Sequence, residues 1–228
     1  MYFFYFFFFK SYIAIIGDII QSKKIKDRSE SQKILQTVLN DINKKYSEDI
    51  VSKFMITLGD EFQGLLNRGE NIMNIITEIE VKIYPVKIRF GVGIGEITTD
   101  INPDIPIGAD GPAYYNARKM IENLKSTEKK NKAAESNIMI ASDVDNEKVD
   151  ILLNSILSLC TTIREKWTER QREIVFNCLE HGDNQSETAE RFGISQSSVQ
   201  KSLSNAGYYS YKNALDIVTK AFSDIKEN

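Results

Sequence analysis

The first two thirds of the chain alternate between short apolar runs and longer stretches in which apolar residues have helical spacing. The run from Tyr12 to Asp18 is almost wholly apolar and stops at a glycine followed by an acid, which is typical of a strand buried on both faces. Between 29 and 46, apolar residues recur every three or four positions, which predicts an amphipathic helix. Along the chain, these two patterns predict strands at 12–18, 50–57, 61–66, 86–96 and 137–141, and helices at 29–46, 70–83, 112–124 and 147–163.

The order of these elements is β-α-β-β-α-β-α-β. It predicts an α+β fold in which helices cover a sheet of mixed direction, the ferredoxin-like or palm arrangement. We assign this domain to residues 11–160. Within it, the polar stretch from Lys125 to Asn137 is predicted to be a loop before the last strand.

A helix, glycine turn, helix pattern begins after residue 160. Thr168 followed by Glu169 is typical of a helix N-terminus. The small, turn and apolar positions of a helix-turn-helix are then occupied by Ala189, Gly193, Ile194, Val199 and Leu203. The sequence therefore predicts an all-α helix-turn-helix domain over 161–228, with a final helix at 209–222.

The helix-turn-helix pattern predicts a DNA-binding surface on its second helix, which Ser195 would cap. Gln and Lys side chains can read base edges, and Lys can also contact phosphate. The predicted DNA-binding residues are Arg191, Gln196, Ser197, Gln200 and Lys201. Residues 164–212 hold seven basic and seven acidic side chains, so a single copy would bind DNA weakly. A three-helix tail that docks another protein is the alternative interpretation.

Composition and charge restrict the classes of function. The 228 residues are 42% hydrophobic and 27% charged, which excludes a disordered chain. The net charge of −3 argues against a protein that coats nucleic acid non-specifically. The two cysteines are too few for a disulfide framework or a zinc site of their own, which favours a cytoplasmic protein.

The chain opens with eight aromatic residues between Met1 and Lys10. This segment is too short to cross a bilayer, which takes about 20 apolar residues in a helix. It also lacks the basic start and the small-residue cleavage site of a secretory signal. Three interpretations stay open for residues 1–10: a non-native extension, a membrane-surface anchor, or an extension of the first strand. No other segment resembles a membrane span, so we expect no membrane partner.

Acidic residues follow apolar strands at two points where carboxylates can meet. Asp18 ends the first strand, while Asp60 and Glu61 lie in the hairpin between the second and third strands. Converging carboxylates repel each other, which raises a pKa or recruits a cation. Carboxylate, water and phosphate oxygens are the ligands that Mg²⁺ prefers. We therefore predict that Asp18 and Asp60 bind a divalent metal ion. The alternative is that Asp60 only shapes the hairpin and Asp18 only caps the next segment.

Three segments resemble the class III nucleotidyl cyclase and GGDEF catalytic domains: Ile16 to Ile20, Thr57 to Phe62 and Arg89 to Gly95. This resemblance covers about residues 11–141. It implies a palm-like fold that holds a nucleoside triphosphate and two divalent ions, Mg²⁺ or Mn²⁺, with Asp18 and Asp60 as the metal ligands.

A narrower resemblance links the chain to the SatD family. The segments Gly17 to Ser22, Leu58 to Gly64 and Asp100 to Arg118 carry it, and it spans nearly the whole chain, including the helix-turn-helix tail. The family is bacterial and implies no settled reaction.

By the cyclase resemblance, nucleotide-binding residues would be Gly59, Glu61, Asp110 and Arg118. Arg118 is also the candidate catalytic residue, because a guanidinium suits bidentate contacts with a phosphate or a transition state. The cyclases have an asparagine four residues before this arginine, where this chain has Tyr114, and the first glycine of GGDEF is Leu58 here. These departures favour nucleotide binding over cyclisation.

Asp110 lies in the loop 108–112 that precedes the helix of Arg118. The free N–H groups of a first helical turn attract an anion, which Asp110 would oppose unless a metal ion or Arg118 offset its charge. Equally, Asp110 would cap the helix, with Pro112 at its first position.

The sequence thus predicts a cytoplasmic bacterial regulator that binds a nucleotide with Mg²⁺ or Mn²⁺ and binds DNA as a homodimer. Two alternatives remain open. One is an enzyme, a metal-dependent nucleotidyl cyclase or transferase acting on nucleoside triphosphates. The other is a non-catalytic scaffold that uses the cyclase-like domain to dimerise.

Overall fold

The fold is that of a computed structural model, which describes residues 11–22, 27–131, 136–142, 146–182 and 184–223. The aromatic segment 1–10, for which three interpretations were left open, lies outside the described residues.

A five-stranded sheet forms the centre of the molecule, in the order β2-β3-β1-β4-β5. The central strand β1 is antiparallel to both β3 and β4, whereas the edge strand β5 is parallel to β4. The predicted α+β class and element order are confirmed, with β1 to β4 in the βαββαβ arrangement and β5 added at one edge. The strands are β1 Tyr12–Ile19, β2 Ile50–Leu58, β3 Glu61–Leu66, β4 Ile88–Gly95 and β5 Ile138–Ala141.

The described part of the chain also contains helices at or near all of the predicted positions. They are α1 Arg28–Lys45, α2 Ile72–Ile83, α3 Pro112–Asn131, α4 Glu147–Glu165, α5 Glu169–His181, α6 Gln185–Phe192, α7 Gln196–Asn205 and α8 Tyr208–Phe222. None of the described helices combines the length and the apolar composition needed to cross a membrane.

One boundary was wrong. The stretch predicted to be a loop from Lys125 continues α3 as far as Asn131. Lys and Glu are good helix formers, and two residues of this last part, Lys125 and Glu128, make ion pairs with residues of the sheet. The high polarity of this segment therefore predicted a loop where the chain forms a helix.

Helix α3 lies directly on one face of the sheet. Gly91 and Gly93 of β4 allow this close approach, because a Cβ atom at either position would overlap backbone atoms of α3. Ala113 and Ala117 of α3 are fully buried in the same contact. The polar side chains of α3 are thereby held next to the ends of β1, β3 and β4.

The opposite face of the sheet and the C-terminal helices share one continuous apolar cluster, which runs from Ile13 in β1 to Phe222 in α8. Trp167, only 6% exposed, belongs to this cluster, and its indole Nε1 donates a hydrogen bond of 2.7 Å to the carbonyl of Ala206. The Trp167 ring packs edge to face against Phe176 and Tyr211. The division of the chain at residue 160 stays a prediction.

The boundaries of α5, α6 and α7 follow from local capping. Thr168 and Gln171 form a capping box at the start of α5. Gly193, with φ of +61°, ends α6, and the Ser195 side chain caps α7 by accepting from the backbone of Ser198. Both predicted capping residues, Thr168 and Ser195, are confirmed.

Candidate functional site

Charged side chains gather where α3 crosses the ends of β1, β3 and β4. Asp18 of β1 lies opposite Glu61 of β3 in one pair and opposite Arg89 of β4 in the other. Residues directly opposite each other in a sheet share a face. The three side chains therefore lie on the face that α3 covers, where Arg118, Lys125 and Glu128 of α3 meet them.

The carboxylate of Asp18 is buried between two cations. The residue is 5% exposed, and its Oδ2 accepts from Nη1 of Arg89 at 2.7 Å. Its Oδ1 lies 2.7 Å from Nζ of Lys125, whose side chain is 46% exposed. Arg89 in turn holds Glu128 through a second pair of hydrogen bonds. The burial of Asp18 is thus compensated by the protein's own charges.

Glu61 is bound to Arg118 through only one of its oxygens. Its Oε2 accepts from Nη1 of Arg118 at 2.5 Å. Its Oε1 is buried and has no hydrogen-bond partner among the described residues. A buried acceptor without a partner is costly. This oxygen is therefore a point where a ligand or a cation would gain an interaction.

Asp60 and Gly59 lie in the β2–β3 hairpin and make separate contacts. Oδ2 of Asp60 accepts from Oγ of Ser22 at 2.5 Å, and its carbonyl accepts from the backbone N–H of Ile19. Gly59 has φ of +61°, and its carbonyl accepts from the side chain of Gln32. Asp60 therefore ties the hairpin to the chain after β1, and Glu61 rather than Asp60 is the residue opposite Asp18.

The structure does not bring Asp110 to Arg118. The carboxylate of Asp110 is exposed and accepts from the hydroxyl of Tyr115 at 2.5 Å. Asn116, two residues before Arg118, donates to the carbonyl of Ile94 in β4. Of the predicted nucleotide-binding residues, only Glu61 and Arg118 are in direct contact.

The carboxylates of Asp18 and its neighbours are ligands of the type that divalent cations prefer, but they do not form a complete metal site. Among the described residues, no group of three or more His, Cys, Asp or Glu side chains could hold a metal ion. Mg²⁺, however, is often held by one or two carboxylates together with water and substrate phosphates. Asp18 and Glu61 supply two carboxylates, of which both Asp18 oxygens are held by Arg89 and Lys125, whereas Oε1 of Glu61 has no partner among the described residues.

Three residues of this cluster were missed in the sequence: Arg89, Lys125 and Glu128. Arg89 could have been found from the register, since it lies opposite Asp18 when β1 and β4 pair. Lys125 and Glu128 follow Arg118 at helical spacing on the same side of α3. They were missed because this part of α3 was assigned to a loop.

The predicted DNA-binding residues of α7 are all exposed: Gln196, Ser197, Gln200 and Lys201. Val199 and Leu203 are buried on the other side of the helix. Arg191 on α6 is also exposed but is engaged by Glu187 and by Oδ1 of Asn177. The polar side of α7 is therefore open to solvent, while Arg191 on α6 is already paired.

Comparison with solved structures finds guanylyl cyclase domains. The dimeric guanylyl cyclase domain of the RhoGC fusion protein from the aquatic fungus Blastocladiella emersonii is 17% identical, with a TM-score of 0.38, and the match covers 49% of this chain and 73% of that one. The guanylate cyclase domain of RhGC from Catenaria anguillulae in complex with GTP is 15% identical, with a TM-score of 0.36 and coverage of 49% and 72%. The catalytic core of a rhodopsin-guanylyl cyclase with converted specificity, in complex with ATPαS, is 17% identical, with a TM-score of 0.35 and coverage of 52% and 72%.

At the level of sequence, no curated protein matches the chain. The sequence model of the SatD family matches residues 12–219, which include every strand of the sheet and reach into α8. The chain belongs to the SatD family.

Proposed function

We propose that this SatD-family protein is a cytoplasmic, homodimeric regulator that binds DNA through α7 and a nucleotide with a divalent cation near Asp18. The single observation that carries the DNA-binding proposal is the exposed polar side of α7. This side presents Gln196, Ser197, Gln200 and Lys201, while Val199 and Leu203 on the other side of the helix are buried.

The chemistry of α7 supports insertion into a major groove. The helix contains no acidic residue, so it presents no like charge to phosphates. Its N-terminus is capped by Ser195 after a short turn at Gly193, and its first residues, Gln196 and Ser197, are exposed. Gln can pair with adenine through two hydrogen bonds, and Lys can contact guanine or phosphate.

The charge of the surrounding helices supports a dimer rather than a monomer as the binding species. Arg191 is neutralised by Glu187, and Arg170 by Glu173. Few cations remain for phosphate contacts, which supply much of the affinity for DNA. Two copies on two half-sites would double those contacts.

The test is a gel-retardation assay with genomic DNA fragments at low salt, with the double variant Gln200→Ala/Lys201→Ala. We expect retardation of at least one fragment by the wild type and an affinity at least about tenfold weaker for the variant, because base and phosphate contacts are lost together. The matched control is Lys33→Ala/Gln36→Ala, which removes an exposed lysine and glutamine from α1. No retardation of any fragment, or equal affinity for both double variants, would contradict the proposal.

A second candidate function, nucleotide binding and turnover at Asp18, is favoured by the unpartnered Oε1 of Glu61 beside Arg118. Arg118 and Lys125 are 42% and 46% exposed, so both can reach a phosphate in solvent, and a divalent cation on Asp18 and Glu61 would replace their charge beside these buried carboxylates. A bound Mg²⁺ or Mn²⁺ would polarise a phosphoryl oxygen. Asp18 and Glu61 would hold that ion, with Asp60 behind them in the hairpin, and Arg89 would keep Asp18 in place.

This candidate is tested by Arg118→Ala, with ATP, GTP, CTP and UTP in the presence of Mg²⁺ or Mn²⁺. A ligand that binds only the native state raises the melting temperature, so we expect a metal-dependent shift in the wild type that Arg118→Ala largely removes. Lys119→Ala, the adjacent exposed residue on α3, serves as the control and should keep the shift. Product analysis of the same mixtures separates binding from turnover. The absence of any metal-dependent shift would count against the candidate.

A further inference from the structure

A pocket lies at the junction between the sheet and the C-terminal helices, next to the acidic site, with which it shares Glu128. This cavity has a volume of about 420 Å³, which is within the usual range of small-molecule sites, roughly 300–1,000 Å³. Its walls come from the residues after β1, the end of α2, the start of β4, the residue before β5, and the helices α3, α4 and α5. Neither the metal prediction nor the DNA-binding prediction uses it.

Most charges that line this cavity are already paired. Arg164 is bound to Glu80, which also accepts from Asn137. Lys87 is bound to Glu165 at 2.9 Å, and Glu128 is held by Arg89. The carboxylates in the wall are therefore neutralised and do not repel an incoming anion.

Arg172 of α5 is the exception. Among the described residues, no carboxylate lies within ion-pair distance of its guanidinium, and one hydrogen bond, from Nη2 to the carbonyl of Arg164 at 3.1 Å, is its polar contact. Arginine has five N–H donors, so most of them remain available. Arg172 thus offers a partly buried positive charge with free donors at the cavity.

Aromatic rings hold Arg172 in position. Its guanidinium carbon lies 5.2 Å from the ring centre of Tyr84, 5.7 Å from that of Trp167 and 5.9 Å from that of Phe176. Tyr84 and Phe176 also line the cavity, and Tyr84 is 41% exposed. The same residues can therefore offer a stacking surface to a flat ring that enters beside the cation.

The backbone at one wall of the cavity is strained. Gln21 has φ of +54°, the only positive φ of a non-glycine residue in the described part of the chain. Such conformations cluster at ligand sites and switches. Gln21 lies two residues after the end of β1 and precedes Ser22, the partner of Asp60, so this wall adjoins the acidic site.

From the uncompensated Arg172, the adjoining rings and the size of the cavity, we infer that this pocket binds a small ligand that combines a flat ring with an anionic group, of the nucleoside monophosphate class. Arg172 and Lys87 bind the anion, and Tyr84 and Phe176 contact the ring. The ligand brings no metal ion, because the protein supplies the positive charge itself. Since Arg172 belongs to α5, which packs against α7, occupancy also alters DNA affinity; this consequence rests on the proposed function.

The experiment is titration calorimetry of the full chain, in EDTA, with the four common nucleoside 5′-monophosphates, inorganic phosphate and adenosine as probes. We expect at least one monophosphate to bind more tightly than phosphate or adenosine alone. Arg172→Ala should weaken that binding at least about tenfold, the loss expected for a charge-assisted contact. Arg170→Ala is the matched control: it lies on the same helix and stacks on Phe192, but it does not line the cavity.

Lys87→Glu provides a second variant in case Arg172→Ala does not fold, because Lys87 is exposed and its replacement reverses a charge at the cavity. It should also weaken binding, whereas Arg118→Ala should leave it unchanged.

Absence of binding by every monophosphate overturns the inference, as does equal affinity of the Arg172 and Arg170 variants. Loss of binding in Arg118→Ala places the ligand at the acidic site and also overturns it, while the proposed function stands. Binding without any change in gel retardation overturns only the coupling to DNA.

Discussion

Arg164→Met is expected to lower the free energy of unfolding by about 3–5 kcal/mol, because it leaves a buried carboxylate without its cation. Arg164 and Glu80 form an ion pair in which each side chain is 11% exposed. Burial alone would lower the pKa of Arg164, but the charge of Glu80 outweighs it and raises the pKa, so the guanidinium stays charged at any working pH. The loss should appear as a lower midpoint in urea denaturation.

The control for this variant is Arg170→Met on α5. Arg170 is half exposed and paired with Glu173, so its loss should cost less than about 1 kcal/mol. The double variant Glu80→Met/Arg164→Met should regain part of the stability, since no buried charge is then left alone. Equal midpoints for Arg164→Met and Arg170→Met would show that the buried pair does not hold α4 to α2.

Gly93→Ala is expected to destabilise the protein by about 3 kcal/mol or more, because the added Cβ atom has no room between β4 and the backbone of α3. A Cβ atom at Gly93 would overlap the carbonyl oxygen of Ala113 and the backbone nitrogen of Ala117. Backbone atoms of a packed helix cannot turn aside as a flexible side chain can. Since α3 carries Arg118 and Lys125, the substitution should also weaken any nucleotide binding at Asp18. Urea denaturation and the metal-dependent thermal shift measure the two effects.

Gly182→Ala separates the clash from the general cost of replacing a glycine. Gly182 has φ of +77° and nothing within contact distance of its missing Cβ, so alanine there should cost about 1 kcal/mol through backbone strain alone. If Gly93→Ala is no more destabilising than Gly182→Ala, then α3 does not lie close enough to β4 to exclude a Cβ atom at Gly93.

Elements set by local chemistry could be predicted from the sequence. The apolar run of β1, the helical spacing of α1 and the caps at Thr168 and Ser195 each depend on neighbouring residues, and the structure has them within one or two positions of the prediction. The roles of Asp60 and Glu61, the two consecutive acids after Gly59, were harder to predict. Whether Asp60 or Glu61 faces Asp18 depends on strand register, and a shift of one residue exchanges the faces.

The surroundings of Asp18 could not be predicted because they come from distant parts of the chain. Its partners are Arg89 on β4 and Lys125 near the end of α3. The acidic residues at the strand ends indicated a site with an excess of negative charge. In the folded chain, basic side chains offset that charge. The cavity beside Arg172 is equally non-local, since residues from Ile20 to Phe176 form its walls.

The sole tryptophan of the chain, Trp167, gives the protein a built-in optical reporter. Its indole lies between the rings of Phe176 and Tyr211 and close to the guanidinium of Arg172. Fluorescence emission of this one residue therefore monitors both the attachment of the C-terminal helices and the local environment of Arg172. No extrinsic dye is needed to follow either event.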